Sequence, residues 1–231
     1  MDKDINYLEG EKYQRKIYEI KKYQKKAFVP KNEAEINKLK DFFQVKKYFE
    51  ILENVYMEDG WEIGYKYKRA RLGSEPIIIA YKTENNITEK DDDYKKSNSH
   101  ERFLKHVKLD KTPDSYFQYI ILKIMASQFA LGWHANYNDG EIVCTKAMIN
   151  NILERTDHLY HFDDDTIKKA KAIDPQTYVE LNNEKAIVRT IIFSKWSGFV
   201  ELKYRIDKEF PHKIIEIEKE SLVEYNCGLV F

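Results

Sequence analysis

Residues 133–140 read Trp-His-Ala-Asn-Tyr-Asn-Asp-Gly and gather groups that move protons or bind polar ligands. His134 and Asp139 would be the acid–base pair of a hydrolase, with Trp133, Asn136 and Asn138 orienting a substrate on a loop between two rigid elements. The spacing matches no catalytic motif. Turn chemistry explains the same residues: a helix C-terminus favours His134, and Asn136, Asn138, Asp139 and Gly140 are turn formers. The architectural reading outweighs the catalytic one.

A second cluster, Asp-His-Leu-Tyr-His-Phe-Asp-Asp-Asp over 157–165, offers His158, His161 and Asp163 as metal ligands. A His-x-x-His pair has low specificity, and the HExxH motif is absent. Three consecutive Asp before Thr166-Ile167 also suit a helix start, where carboxylates cap free amides. The helix start is the stronger reading, and the sequence implies no metal or other cofactor.

The third constellation is basic and aromatic. Residues 10–31 carry eight Lys or Arg against Glu11 and Glu19. Tyr13, Lys21, Lys22 and Lys25, joined by Lys66 and Lys68, could follow a phosphate backbone while aromatic rings stack on bases. Lysine-rich helix faces are often only solvated, and the whole chain balances 39 basic against 39 acidic residues. Nucleic acid is thus a second partner class, through 10–31 and 66–68. P-loop, GxGxxG, GxSxG, kinase and zinc-finger spacings are all absent, which argues against nucleotide-driven and common hydrolase chemistry.

The elements that must position these groups follow from periodicity. A helix is expected over 10–27, ended by Pro30, and a second over 31–56 with an Asn32/Glu35 capping box and an apolar stripe from Ile36 to Leu52. Alternation over 61–70 and 77–83, with a turn at 72–76, predicts a β-hairpin. Residues 84–101 are polar and read as a surface loop or linker between a 1–83 helical and hairpin portion and a 102–231 portion, or as a loop within one domain. Pro113 and Asp114 open a helix over 115–133 that is apolar nearly all round. Although long enough to span a bilayer, it is interrupted by Gln118, Lys123, Ser127 and Gln128, and reads as a core helix. A short strand at 141–145 and helices near 146–155 and 163–172 follow. From Thr177 the chain alternates as four or five antiparallel strands, with turns at Asn182-Asn183 and Ser197-Gly198.

Helices first and strands last predict an α+β fold with N-terminal helices and a hairpin, a buried central helix and a C-terminal antiparallel meander. At 231 residues the chain can bury roughly 70–75% of its unfolded surface without staples. The polar, acidic N-terminus is no signal peptide, and two cysteines, Cys144 and Cys227, outside any ligand spacing suit reduced thiols in a cytoplasm. The usage of Lys, Asn and Ile is prokaryote-like. Seventeen tyrosines and the lack of a convincing catalytic set point to a soluble module that binds a partner protein through tyrosine-rich faces, with no membrane contact. Nothing in the sequence fixes an oligomeric state.

Overall fold

The computed structural model describes residues 4–70, 73–83, 102–132, 138–156 and 159–228. In chain order the elements begin β1 (Asp4–Tyr7), α1 (Gly10–Gln24), α2 (Glu33–Phe42), a 3-10 turn (Val45–Lys47), α3 (Tyr48–Ile51), β2 (Val55–Met57), β3 (Trp61–Ala70), β4 (Gly73–Lys82), β5 (Val107–Leu109) and α4 (Pro113–Met125). They continue with β6 (Glu141–Val143), α5 (Lys146–Leu153), α6 (Asp164–Ala172), β7 (Tyr178–Leu181), β8 (Lys185–Ser194), β9 (Gly198–Asp207) and β10 (Ile214–Val223). This is the α+β arrangement expected, with antiparallel pairing throughout and a C-terminal meander. No helix among the described residues is long and apolar enough to cross a membrane.

The chain divides into two compact units, one of Met1–Tyr18, Tyr137–Lys208 and Ile214–Phe231, the other of Glu19–Asn136 and Glu209–Lys213. The expected 84–101 loop lies outside the described residues.

The first unit is built on a six-stranded sheet of order β1-β7-β8-β9-β10. β7 pairs with Ala186–Arg189 of β8, and β6 pairs with Ile191–Phe193 further along the same strand. Period-two alternation sets Ala186, Val188 and Thr190 opposite Ile206, Tyr204 and Leu202, all buried on one face. On the other face, Ile191, Phe193 and Phe199 join Val143, Ile149 and Ile152 of β6 and α5, Ala170 of α6, and Ile173 in one core cluster. The helices over that face start where side chains satisfy free amides: Thr145 accepts from Met148 N and Asp163 from Thr166 N.

The second unit holds α4, whose residues from Ser115 to Leu122 are all buried, as expected of a helix apolar nearly all round. α4 stops at Met125, short of the expected 133, and Ala130 takes a positive φ of 48°. Lys123 is half-buried on it. The expected 31–56 helix breaks at Phe43, which turns extended (φ −117°), and the segment ends as β2. The reason is phase. Ile36, Leu39 and Phe43 share a helical face, but Val45 two residues on would point about 200° away. Breaking the helix lets Phe43 and Val45 both be buried, while Phe42 is left 59% exposed. The β3–β4 hairpin forms, but with Ala70 opposite Gly73. The Gly73-Ser74-Glu75-Pro76 group is thus strand rather than turn, and Pro76, which lacks an N–H, is tolerated in a two-stranded ribbon.

Candidate functional site

Of the Trp133–Gly140 stretch, Trp133, His134 and Asn136 lie outside the described residues. Asn138 is half-buried. Asp139 accepts a hydrogen bond from Ser194 Oγ at 2.8 Å and a longer one from Lys195 N at 3.4 Å, while Trp196 N donates to Ser194 Oγ at 3.2 Å. Both carboxylate oxygens thus brace the turn between β8 and β9. Burial pushes the Asp139 carboxyl above its ordinary range, against the opposing pull of those bonds and the Lys195 charge. Nearby in the same unit, Arg155 and Glu141 form a two-pronged pair, and Arg155 also reaches Tyr160 Oη at 3.3 Å.

In the acidic cluster His158 lies outside the described residues. His161 donates its backbone N–H to Tyr225 Oη at 2.8 Å. Asp163 spends its carboxylate on the α6 cap, accepting from Thr166 N at 2.7 Å, and those cap bonds hold its pKa below the usual value. Among the described residues, no group of three or more His, Cys, Asp or Glu side chains is placed to hold a metal ion.

In the basic and aromatic set, Lys22, Lys25 and Lys68 are exposed, and Lys21 and Lys66 are half-buried. The rings are engaged elsewhere. Tyr13 is 1% exposed. Tyr23 stacks on Phe43 at 4.6 Å between centroids, and Tyr67 donates to Ala130 O at 2.5 Å. Tyr18 of α1 is 64% exposed, whereas those three rings are not presented for base stacking. The same holds for much of the tyrosine content: Tyr13, Tyr48, Tyr65, Tyr67, Tyr116, Tyr119 and Tyr204 are core residues. Cys144 is buried and Cys227 half-buried, both as free thiols.

The surface the sequence did not single out is β10. It closes one end of the sheet, pairs with β9, and is exposed on both faces from Ile215 to Ser221. It runs unbroken for ten residues, from Ile214 to Val223. Ile215 and Ile217 are 45% and 48% exposed. The even-numbered row carries Glu216, Glu218 and Glu220 opposite Arg205, Lys203 and Glu201 of β9. Arg205 bonds Glu216 and reaches Glu218 at 3.3 Å. Glu201 takes Arg189 at 2.6 Å and Lys203 at 3.2 Å. At the opposite end of the sheet β1 is only four residues long, with Ile5 and Tyr7 exposed.

Comparison with known proteins returns no match among protein families, curated proteins or solved structures.

Proposed function

We propose that this protein is an interaction module that recognises an extended, basic segment of a partner protein by adding it as a strand along β10. The observation that carries this reading is the edge itself. Among the described residues no strand pairs with the outer side of this ten-residue terminal strand, whose row of backbone N–H and C=O groups is a ready template for another strand. Natural edges are blunted by being short, as β1 is. β10 is irregular at its two ends, with register shifts at Ile214/Glu216 and Ser221/Val223, but keeps a regular run between them with exposed Ile217 flanked by Glu216 and Glu218 and exposed Ile215 just before.

The charge pattern selects the occupant. A second copy pairing edge to edge about a two-fold axis normal to the sheet would set even-numbered residues opposite even-numbered ones. Glu216, Glu218 and Glu220 would then meet the same glutamates of the copy, and like charges directly opposite are destabilising. A strand with Lys or Arg facing that row and aliphatic residues facing Ile215 and Ile217 satisfies both faces. Backbone bonds supply affinity and the alternating side chains supply specificity. Arg205 already engages Glu216 and Glu218, and among the described residues Glu220 is the carboxylate of this row without an ion pair.

Titration with a labelled peptide of alternating Lys and Val, followed by fluorescence anisotropy, tests this. The expected result is saturable binding that weakens as salt rises, with a Glu/Val peptide binding far less. Glu220→Lys should weaken the Lys/Val peptide about fivefold, the measure of one cross-strand charge pair. Equal binding of the two peptides, or an unchanged affinity in E220K, contradicts the proposal.

A further inference from the structure

The second unit contains a cleft of about 170 Å³ between the broken end of α2 and the strand β3. Its apolar lining is Phe43, Val45, Ile63 and Tyr65, and Gly64 leaves that stretch of the strand wall without a side chain. Lys40 and Lys46 stand on the helical side, and Glu62 and Tyr81 on the strand side. Among the described residues, neither lysine has a carboxylate within ion-pair distance. Glu62 is already engaged, accepting from Tyr81 Oη at 3.0 Å.

One buried atom of a lining residue lacks a partner. Tyr65 is 4% exposed, and among the described residues its hydroxyl has no hydrogen-bond partner. Its ring is fixed edge-on against Phe129 at 5.0 Å and against Phe43 at 6.4 Å, so the hydroxyl is held in place by an aromatic cluster. Buried polar groups are nearly always paired, and an orphan costs folding free energy that a ligand's polar atom would return.

Size and chemistry narrow the ligand. An apolar cavity of about 150 Å³ takes up one benzene ring. A cleft of this volume therefore accepts a single six-membered ring with small substituents. The ring would lie on the Phe43 and Tyr65 side, an anionic substituent would face Lys40 and Lys46, and a second polar substituent would meet the Tyr65 hydroxyl. We infer that the cleft beside Tyr65 is a binding site for a small ring compound bearing a carboxylate at one end and a hydroxyl or carbonyl at the other.

The probes are 4-hydroxybenzoate, benzoate and phenol, titrated into the full chain by calorimetry and ligand-observed NMR. The expected order is 4-hydroxybenzoate first, with a dissociation constant of roughly 1 mM, and benzoate and phenol each weaker. Tyr65→Phe should erase the advantage of 4-hydroxybenzoate over benzoate, while its melting temperature equals or exceeds that of the parent. Lys46→Gln, at an exposed position, should weaken both carboxylates about fivefold and leave phenol unchanged. No saturable binding of any probe, or binding indifferent to K46Q and Y65F alike, overturns the inference. Should Y65F fail to fold, the K46Q comparison of carboxylates with phenol still decides.

Discussion

Glu201 shows how a single side chain on the sheet is held charged. Burial works against its ionised form, but the bonds from Arg189 and Lys203 outweigh that and hold its carboxyl below the usual glutamate value. The folded pKa is depressed, so this contribution is fully present above the unfolded carboxyl pKa and is lost as pH falls through the folded one. Side-chain exposures of 11% for Arg189 and 14% for Glu201 place the pair between the surface and buried limits. Glu201→Gln should therefore cost about 2 kcal/mol at pH 7. By pH 3 the gap between variant and parent should narrow, because the parent's carboxylate begins to protonate. Urea unfolding at the two pH values checks this, and a pH-independent difference contradicts it. Asp139 runs the other way. Its pKa is raised, so what it contributes is greatest in the protonated form and declines as pH rises. Its role in the turn rests on its bonds, with both oxygens accepting from the Ser194–Lys195 segment.

At the scale of elements, the turn after β8 fixes where β10 ends. Gly198 has φ +75°, and a Cβ there would come within 2.0 Å of Val223 O and 2.6 Å of Tyr225 N. Gly60 has nearly the same φ, +76°, but open space around it. Gly198→Ala should cost at least about 2 kcal/mol, and Gly60→Ala about 1 kcal/mol, the conformational cost alone. Thermal melts of the two variants compare them, and equal losses would contradict the close approach. Much at this scale was legible in the sequence because it is local. Asn32 caps α2 by accepting from Glu35 N, the Glu35 carboxylate reaches back past it to accept from Lys31 N, and Asp163 caps α6. The alternation of β3 and β8 likewise gave their strands. What was not legible is decided by distant contacts. The break at Phe43 follows from a core that takes both Phe43 and Val45, and the continuity of β10 through Lys219 and Ser221 follows from its pairing with β9.

For the whole chain, zero net charge conceals local imbalance. The basic stretch of 10–31 and the glutamate row of β10 are the two uneven places, and they favour partners of opposite sign. The tyrosine count suggested sticky faces, yet many tyrosines serve the two cores, and the open edge depends on topology. β1 takes the side of β7, β6 shares an edge of β8 with β7, and β10 is left last in the sheet. The β7-β8-β9-β10 order is the local meander that alternation and turns announce, whereas β1 on β7 and β6 on β8 join segments far apart in the chain and are not written in any one stretch. The measurement that tests the central claim most directly is amide hydrogen exchange across Ile214–Val223, with and without the Lys/Val peptide. In the free protein, alternate amides of β10 should exchange fast, because only every second one faces β9. Added peptide should slow those outward amides specifically, leaving the β1 edge as it was. Protection of β10 already complete in the free protein, or a peptide that slows amides elsewhere and not these, would contradict strand addition at this edge.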